Sequence, residues 1–578
     1  MSVAASPAFV RLPVWRARFM LFALVAAFGV LAGRAVYLQA VNTDFLQMKG
    51  ESRFSRVLEV PATRGRILDR NGEAVAISTP VKSIWAIPGD VQASPAQVKS
   101  LATLLNVDSV ELEKKFSDKT RDFVYLKRQI PPEQAERIAE LGLPGIYSQR
   151  EYRRYYPGGD GMAHVIGFTG VGDEGQEGIE LAFQSSLAGK AGSRRVIKDR
   201  RGSIVEDLES IRAAQDGKDL TLSVDGKIQN IAFGALKSAV EFHKAKAGAI
   251  VVLDVRSGEV LALANMPSYN PNNRDNRGKL TGAQLRNRVM TDIFEPGSTL
   301  KPFTVALAVD EGRVRPDTMI QTAPGKLTIA NHTISDAHAA GLLSVAQVIQ
   351  KSSNVGAAKI ALGLPKEDMW DLFKRVGFGA QPALGFPGEA QGKVRDWKTW
   401  RPIEQATMSY GHGISVSLIQ LARAYSIFAR DGELAPLTLV RSDMPVAGRR
   451  VISAETARAV REMLEMAVQP GGTAPRARVM GYRVAGKTGT AHKQENGGYA
   501  AHKYISSFVG FAPVSDPRLV IAVMIDEPSN GQYYGGAVSA PVFSQVMQGA
   551  LRSLGVPPDA PMQPVEVPGE GDEIKEGT

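Results

Sequence analysis

An apolar run near the N-terminus limits what the rest of the chain can be. Residues 19–40 hold no charged side chain except Arg34. As one helix they would extend about 33 Å, enough to cross a bilayer if Arg34 reaches the far interface. The tail before them, residues 1–18, carries three arginines and no acid, so it is expected to stay cytoplasmic. The run predicts a single membrane anchor or a cleaved signal peptide, with the anchor favoured, and the bulk of the chain outside the cytoplasm.

Composition narrows the classes of function that the chain can have. Its 578 residues are 44% hydrophobic and 22% charged, an ordinary balance for several globular domains. The formal charge of +10 is compatible with an anionic membrane surface or polymer and is not a nucleic-acid signature. The absence of cysteine excludes disulfides, thiolate catalysis and cysteine-ligated metals. Seven histidines, none in an H-E-x-x-H arrangement, argue against a zinc hydrolase.

Residues 41–220 are predicted to form a mixed α/β domain without a nucleophile. Short strand-like runs alternate with charged helical segments such as residues 132–140. Asp69-Arg70-Asn71-Gly72 predicts a hairpin turn, because Asn-Gly readily supplies the positive φ that such turns need. Residues 150–157 form a basic and aromatic cluster. This cluster indicates either a groove for a polyanion or an interdomain packing surface, and the packing surface is favoured.

Residues 221–555 are predicted to form one antiparallel sheet packed with helices. A helix over 225–243 precedes strands at 247–254 and 259–264, which a Gly-containing turn joins as a hairpin. Further helices are predicted near 344–362, 367–375 and 415–430, and late strands near 482–491, 504–512 and 518–525. Two early strands, a block of helices and several late strands are typical of a single α+β domain. Residues 556–578 are rich in Pro, Gly and acid and are predicted to be a disordered tail.

Ser298 and Lys301 form the first candidate catalytic pair. Pro296-Gly297 signals a turn, after which a helix can begin at Ser298. Residues three apart lie on one helical face, so the lysine amine is expected beside the serine hydroxyl. A partly desolvated lysine can take the serine proton, and the positive end of the helix stabilises an anion. Ser-x-x-Lys alone also arises by chance, as a helix cap beside a surface lysine.

Two later segments carry further candidate side chains. Lys351-Ser352-Ser353-Asn354 lies at the end of a helical run and presents a hydroxyl and an amide two residues apart. Lys487-Thr488-Gly489-Thr490 lies in a strand, where alternation points Thr488 and Thr490 to one side. Gly489 leaves room for a ligand to pair along that strand.

Residues 481–488 also match the phosphate-binding pattern G-x-x-x-x-G-K-T letter for letter. That motif needs a buried strand before it and a helix directly after it, whereas Gly489-Thr490 continues as a strand. An extracytoplasmic domain would also meet little ATP, so this match is interpreted as accidental. No serine lies in G-x-S-x-G, which argues against an α/β-hydrolase.

Ser-x-x-Lys, Ser-x-Asn and Lys-Thr-Gly, in this order, are the combined signature of penicillin-binding proteins and β-lactamases. On these motifs the chain resembles the class B penicillin-binding proteins, specifically the cell-division (septal) type known as penicillin-binding protein 3. The resemblance covers nearly the whole chain, including residues 64–72, 150–157, 178–180, 410–413 and 533–536. It implies an α+β multidomain fold. The parts are a single transmembrane helix, a mixed α/β pedestal, and a serine β-lactamase-like transpeptidase domain whose central antiparallel sheet is flanked by helices.

The resemblance also implies roles in acyl transfer to and from peptidoglycan stem peptides. Ser298 would attack the carbonyl of the penultimate D-alanine, and Lys301, uncharged, would be the base. Ser352 would relay the proton to the departing D-alanine, and Lys487 would hold that relay electrostatically. An amine of a neighbouring strand would then resolve the acyl-enzyme, and β-lactams would stall the reaction at the acyl stage. No cofactor or metal would be required.

The remaining residues carried over from the family bind substrate or hold the fold. Asn354 would bind the substrate amide, while Thr488 and Thr490, with Gly489 between them, would bind its carboxylate. Backbone N–H groups of Ser298 and Thr490 would form the oxyanion hole, and Tyr504 would wall the site. Seven residues are assigned structural or interdomain roles: Arg64, Gly65, Asp69, Arg70, Gly72, Arg150 and Glu180.

The implied setting is the bacterial inner membrane, with the catalytic domain in the periplasm. Expected partners are D-Ala-D-Ala stem peptides, β-lactams, the membrane, a septal glycosyltransferase and other divisome proteins, with no nucleic acid. An elongation-type transpeptidase is an open alternative. A β-lactamase would be shorter, would not need residues 41–220 and would need a water activator. A β-lactam-binding scaffold or sensor without turnover is a third alternative, although a sensor should show several membrane segments and a signalling domain.

Overall fold

The computed structural model describes residues 13–41, 55–198, 204–274, 277–442, 444–495 and 498–563. The N-terminal apolar run forms a helix, Val14–Val36, that continues through a π-helical turn, Tyr37–Val41. Its apolar stretch is 26 residues long, is not buried against the protein and is apolar enough to cross a membrane. The helix begins at Val14 rather than at the predicted residue 19. Most of the predicted tail, residues 1–12, lies outside the described residues.

The protein divides into two compact units, each assembled from several stretches of the chain. The first unit comprises residues 1–62, 82–151 and 190–215, and the second comprises 63–81, 152–189 and 216–578. Within the second unit, strand Ile67–Leu68 pairs in parallel with Leu220–Thr221. Because of this pairing, residues 67–68 belong to the second unit.

The first unit contains two antiparallel sheets. One is formed by Val124–Ile130 with the parts of Ala74–Ala86 and Ile146–Tyr155 that belong to this unit. Three helices cover its core: Pro95–Leu105, Ser109–Ser117 and Pro132–Ala139. The other sheet is formed by three strands: Ser55–Val60, Gly192–Lys198 and Ile204–Arg212.

The second unit is built on a five-stranded antiparallel sheet. Its strands are β1 (Ala247–Asp254), β2 (Val260–Met266), β3 (Ala485–Glu495), β4 (Gly498–Ala512) and β5 (Leu519–Asp526). The spatial order is β2-β1-β5-β4-β3, which places β3 at an edge. β3 carries the Lys-Thr-Gly motif, so one side of that motif's backbone faces away from the sheet.

Alternate side chains of β1 and β5 pack into different hydrophobic clusters, as the period of two in a strand requires. One set packs with helices Gly226–Phe242 and Ala540–Ser553: Ile250, Val252, Ile521 and Val523. The other set packs with helices α1 (Lys301–Asp310) and Leu418–Ala429: Val251, Leu253, Ala522 and Met524. Helices on both faces explain why these strands read as continuous apolar runs. The predicted α+β fold with a central antiparallel sheet is confirmed.

The remaining elements of the second unit are short or lie around the central sheet and the helices that cover its two faces. The helices are Gly159–Ile166, Gly178–Ala182, Gln184–Leu187, Gly282–Leu285, Arg288–Thr291, Lys366–Arg375, Pro402–Met408, Ala454–Met466 and Gly535–Val538. The short strands are Ile293–Phe294, Met319–Gln321, Lys326–Ile329, His332–Ser335, Leu342–Ser344, Val416–Ser417, Glu433–Leu434 and Arg449–Arg450.

Two predicted elements differ from the structure near the motifs. The single helix predicted over 344–362 is two helices, α2 (Val345–Lys351) and α3 (Asn354–Leu362), with a break at Ser352. The hairpin of β3 and β4 reaches further than predicted, since β3 ends at Glu495 and β4 begins at Gly498. Its outer residues are polar and lack the apolar pattern that marks the inner part.

The structure also corrects the predicted start of the tail. Residues 556–563 lie against the second unit rather than forming part of a disordered tail. The Val556 carbonyl accepts a hydrogen bond from Tyr482 Oη at 2.6 Å, and the Asp559 carboxylate accepts from the Arg483 backbone N–H at 2.7 Å. These bonds satisfy polar groups that composition alone assigns to solvent. Residues 564–578 lie outside the described residues.

Candidate active site

Ser298 lies in a short 3-10 turn, Gly297–Leu300, that leads directly into α1. Gly297 has a φ of +57°, which an L side chain adopts only with strain. A Cβ at this glycine would lie 3.4 Å from the Thr490 carbonyl oxygen, so the turn is close to the edge strand β3. Ser298 is only 5% exposed. We call residues 295–300 the nucleophile turn.

Lys301 is fully buried, and its amine meets three oxygen atoms. Nζ lies 2.8 Å from Ser298 Oγ, 2.9 Å from Ser352 Oγ and 2.6 Å from the Ser352 carbonyl oxygen. Burial disfavours the charged form of a lysine. A buried amine within hydrogen-bond distance of a serine hydroxyl can act as the general base that activates a serine nucleophile.

Ser352 occupies the break between α2 and α3. Its φ of 61° and ψ of 38° are left-handed, a conformation uncommon for residues other than glycine, asparagine and aspartate. Ser353 then begins the next helix, and its Oγ accepts a hydrogen bond from the Gly356 N–H at 2.9 Å. The break turns both the carbonyl and the hydroxyl of Ser352 towards Lys301. Sequence reasoning identified the serine but not the break that orients it.

Asn354 and its neighbours are held by the strand His332–Ser335 and the residue after it. Asn354 Nδ2 donates to the Ser335 carbonyl at 3.1 Å. The Asp336 carboxylate accepts from Ser353 Oγ at 2.7 Å and from the Val355 N–H at 2.9 Å, so it caps α3. Asp336 could not be identified from the sequence, because no local pattern links it to the Ser-x-Asn motif at residues 352–354.

The Lys-Thr-Gly segment lies at the inner end of β3. Lys487 is fully buried, and its Nζ donates to Thr488 Oγ1 at 3.0 Å. Thr488 Oγ1 also lies 2.9 Å from Thr473 Oγ1. Thr490 Oγ1 accepts from the Gly535 N–H at 3.1 Å. Thr473 and Gly535 were not singled out from the sequence.

Gly489 allows β3 to approach the nucleophile turn. A Cβ at this position would lie 2.7 Å from the Pro296 carbonyl oxygen and 3.0 Å from Thr299 Cγ2. It would also lie 2.5 Å from Ser507 Oγ, on the neighbouring strand. Any side chain would force strand and turn apart. The Ser-x-x-Lys and Lys-Thr-Gly motifs are therefore in close contact at Gly489. The Ser-x-Asn motif joins them through the hydrogen bonds between Lys301 and Ser352.

Tyr504 lies on β4 opposite His492 of β3. Its ring stacks on Tyr533 at a centroid distance of 4.1 Å and an interplanar angle of 14°, and Tyr533 contacts Tyr534 at 4.4 Å. Burial, followed by the nearby Tyr533, raises the pKa of Tyr504 above its ordinary value. These rings form an aromatic surface beside the outer part of the edge strand.

Two titratable groups near the motifs were not assigned a role from the sequence. Glu295 opens the nucleophile turn and is 6% exposed, and burial raises the pKa of its carboxyl group above the ordinary value. His412 follows Tyr410 and Gly411, and burial lowers its pKa to about 4. His412 is therefore neutral near pH 7.

Three of the residues assigned structural roles meet in or beside a buried ion-pair cluster. Glu180 pairs with Arg64 at 2.6 Å and with Arg154 at 2.7 Å, and all three side chains are almost fully buried. Arg154 also donates to the Gly65 carbonyl at 2.7 Å. Arg150 is exposed and is not part of this cluster. The buried arginine of the basic and aromatic segment is Arg154, which sequence reasoning missed.

The predicted turn at Asp69–Gly72 is also formed. Gly72 has a φ of +85°, and the Asp69 carboxylate accepts from the Asn71 and Glu73 N–H groups at 2.8 and 2.9 Å. Arg70 lies 3.4 Å from Glu259. All these residues belong to the second compact unit, so they stabilise the unit that contains the active site.

Comparison with known proteins agrees with this geometry. The family model described as the penicillin binding protein transpeptidase domain matches residues 248–548, and the penicillin-binding protein dimerisation domain matches residues 59–222. The "Probable peptidoglycan D,D-transpeptidase PenA" of Neisseria gonorrhoeae is 44% identical over 551 residues, covering 95% of this chain and 94% of the relative. The chain is a class B penicillin-binding protein.

Two further similarities support this membership. The "Peptidoglycan D,D-transpeptidase FtsI" of Escherichia coli K12 is 42% identical over 552 residues, covering 94% of this chain and 93% of the relative. The apo structure of the TP domain from Burkholderia pseudomallei penicillin-binding protein 3 is 52% identical, with a TM-score of 0.54. It covers 59% of this class B chain and 98% of the solved one. The resemblance drawn from the three motifs is confirmed.

Proposed function

We propose that this protein is a peptidoglycan D,D-transpeptidase that forms cross-links through a Ser298 acyl-enzyme and is acylated by β-lactams. The observation that carries the proposal is the contact of the buried Lys301 amine with Ser298 Oγ at 2.8 Å and with Ser352 Oγ at 2.9 Å. Relatives named as peptidoglycan D,D-transpeptidases, similar over nearly the whole chain, support it.

The donors and acceptors around Lys301 indicate how the serine is activated. The Ser352 carbonyl oxygen can only accept, so it takes one N–H of the amine. A neutral amine has one lone pair, which can take the proton of the Ser298 hydroxyl as its Oγ attacks the substrate carbonyl. Lys301 then holds that proton as an ammonium. The Ser352 hydroxyl can accept from the ammonium while donating onward to the leaving amine.

The negatively charged oxygen of the tetrahedral intermediate is stabilised by hydrogen-bond donors, which here would come from the nucleophile turn and from β3. We assign them to the backbone N–H groups of Ser298 and Thr490, because the nucleophile turn and β3 lie in contact at Gly489. Removing one such donor from an acyl-transfer enzyme costs about 3–4 kcal/mol of transition-state stabilisation. The outer edge of β3 is available for a substrate peptide to pair along it.

The remaining side chains complete the cycle. Collapse of the intermediate breaks the bond to the terminal D-alanine, whose nitrogen takes the proton through Ser352 with Lys487 stabilising the relay. Thr488 and Thr490 bind the carboxylate of that D-alanine, and Asn354 binds the peptide amide. An acceptor amine then attacks the acyl-enzyme, which forms the new peptide bond and returns the proton to Ser298. Tyr504 walls the site.

Labelling with a fluorescent penicillin tests this proposal. Wild-type protein should form a covalent adduct whose mass localises to the peptide containing Ser298, and Ser298→Ala should not label. The adduct should persist for many minutes, because a transpeptidase lacks an efficient route to water. If both proteins label equally, the serine assignment is wrong. If the wild-type adduct turns over within seconds, a β-lactamase is the better assignment.

We further propose septal duty, a cytoplasmic N-terminus and the inner membrane as the location. The full-length similarity to the relative named FtsI supports septal duty and partnership with a septal glycosyltransferase and other divisome membrane proteins. Depletion should produce filaments if the protein is septal and rounded cells if it serves elongation. Recovery of the N-terminal peptide from the mature protein would exclude cleavage as a signal peptide.

Orientation can be tested directly because the chain contains no cysteine. A membrane-impermeant maleimide applied to spheroplasts should label Glu113→Cys, at an exposed position, and should not label Ser2→Cys. Both should label after permeabilisation. The reverse pattern would contradict the proposed orientation.

A further inference from the structure

Glu295 lies where three segments of the second unit meet. Its Oε1 accepts from the Gly413 N–H at 2.7 Å and from Gln494 Nε2 at 2.8 Å. Its Oε2 accepts from Tyr499 Oη at 3.0 Å. Gly413 belongs to the loop after helix Pro402–Met408, while Gln494 and Tyr499 face each other across the hairpin of β3 and β4. One carboxylate therefore holds a loop and both strands of the hairpin against the nucleophile turn.

We propose that Glu295 is a positioning residue for acylation, because it fixes the outer part of the β3–β4 hairpin relative to the nucleophile turn. The inference rests on the proposed function, in which the two oxyanion donors belong to Ser298 and Thr490. Glu295 lies on the segment of the first donor and binds Gln494 on the strand of the second. Its bonds thus join the two segments whose separation determines the geometry of the oxyanion hole.

The nature of the three partners indicates that geometry, rather than ion pairing, is the role of this carboxylate. All three donors are neutral, and within the described part of the chain none of the ion pairs includes Glu295. Burial is unfavourable to its charge and raises the pKa of its carboxyl group. A buried carboxylate without a cationic partner is retained at a cost, which its hydrogen bonds must offset.

The loop adds a second constraint on the same turn. Gly411, two residues before Gly413, packs on Gly297, since a Cβ at Gly411 would lie 2.2 Å from the Gly297 carbonyl oxygen. The Gly297 N–H also donates to the Gly411 carbonyl at 3.4 Å. Loss of the Glu295 bond to Gly413 should therefore loosen the nucleophile turn on the loop side and on the hairpin side together.

The experiment compares acylation by a fluorescent penicillin for wild type, four test variants and one control variant. Stopped-flow traces separate the acylation rate constant k2 from the binding constant Ks, and concentrations are corrected by titration of reactive serine. Glu295→Ala removes all three bonds. Glu295→Gln keeps a carbonyl for Gly413 and Gln494, and its amide can donate to Tyr499, whose hydroxyl can also accept. Tyr499→Phe alone and combined with Glu295→Ala completes a double-mutant cycle.

We expect Glu295→Ala to lower k2 by about tenfold to a hundredfold with Ks changed less than about threefold, since misplacing reacting groups by about 1 Å can cost about 10²-fold. Glu295→Gln should recover most of that loss. Tyr499→Phe should lower k2 in wild type and add nothing to Glu295→Ala. The matched control is Glu389→Ala, which removes a half-buried carboxylate that accepts from the Leu384 and Phe386 N–H groups, and its k2 should stay unchanged.

Several results would overturn the inference without touching the proposed function. The inference is wrong if the k2 of Glu295→Ala equals that of wild type. It is also wrong if Glu295→Gln acylates as slowly as Glu295→Ala, because the loss would then be due to the missing charge. Additive effects of Glu295→Ala and Tyr499→Phe would also overturn it. If Glu295→Ala does not fold, Gln494→Ala and Tyr499→Phe, both at exposed positions, must each lower k2 or the inference fails. Failure of wild type to acylate at all would instead refute the proposed function.

Discussion

Replacing Gly489 by alanine tests whether the close approach of β3 to the nucleophile turn sets the rate of acylation. The new Cβ would lie 2.5 Å from Ser507 Oγ, 2.7 Å from the Pro296 carbonyl oxygen and 3.0 Å from Thr299 Cγ2. The serine hydroxyl can rotate away. The Pro296 carbonyl cannot, because it is part of the backbone that leads into Ser298. Strand and turn must therefore separate by at least a few tenths of an ångström.

This separation acts on chemistry more than on folding. Overpacking of a tight site typically costs about 1–3 kcal/mol of stability, which a folded domain of this size can tolerate. A shift of about 1 Å between reacting groups can cost about 10²-fold in rate. We therefore expect Gly489→Ala to fold and to acylate about tenfold to a hundredfold more slowly than wild type.

The assay is stopped-flow acylation by a fluorescent penicillin, corrected for the fraction of reactive protein. Gly498→Ala is the matched control, because it lies on the same hairpin and its Cβ would meet no heavy atom within 4 Å. Ser507→Gly added to Gly489→Ala should not restore the rate, since it relieves only the side-chain contact. A wild-type rate for Gly489→Ala, or full restoration by Ser507→Gly, would refute the reasoning.

Three further predictions concern proton transfer, the buried ion pairs and pH. Ser352→Ala should keep the carbonyl contact with Lys301 and lose the hydroxyl. The acylation rate should fall by about 10²-fold or more, as expected for loss of a proton relay, and a smaller fall in pre-steady-state kinetics would exclude that role. Glu180→Gln leaves two buried guanidinium groups without their carboxylate and should lower the unfolding free energy by about 3–5 kcal/mol. Asp219→Asn, in the exposed pair with Arg66, should change it far less in the same denaturation experiment. Burial lowers the pKa of His164 from 6.5 to about 4, so its contribution to stability is present above pH 6.5 and lost as pH falls towards 4, by about 3 kcal/mol in all. His164→Gln should flatten the dependence of the melting temperature on pH in that window, and an unchanged slope would assign the effect to other groups.

Much of the sheet could be predicted from the sequence because its strands are marked by their own residues. Helices pack on both faces of β1 and β5, so these strands are almost entirely apolar, and a turn that contains Gly258 follows β1. The outer part of the β3–β4 hairpin could not be predicted, because many of its residues are exposed. Exposed strands lack the apolar pattern that marks the buried ones.

The site residues divide in the same way. Ser298, Lys301 and Lys487 are identified by motif spacing, because each motif lies within one turn or strand. Asp336 and Arg154 were missed, since each acts on a partner that only the fold brings near. Among the arginines of the basic and aromatic segment, which side chain becomes buried depends on the position of Glu180, and no local pattern encodes that position.

The left-handed conformation of Ser352 is the one that the proposed proton relay requires. A left-handed residue other than glycine costs about 1–2 kcal/mol, and a glycine at this helix break would avoid most of that cost. Glycine would keep the carbonyl that binds one N–H of Lys301, but it would lose the hydroxyl at 2.9 Å from Nζ. A continuous helix would keep the hydroxyl but would use the carbonyl in its own hydrogen bonding. A left-handed residue with a hydroxyl presents both oxygens to the amine, so the proposed proton relay would account for the strain at Ser352.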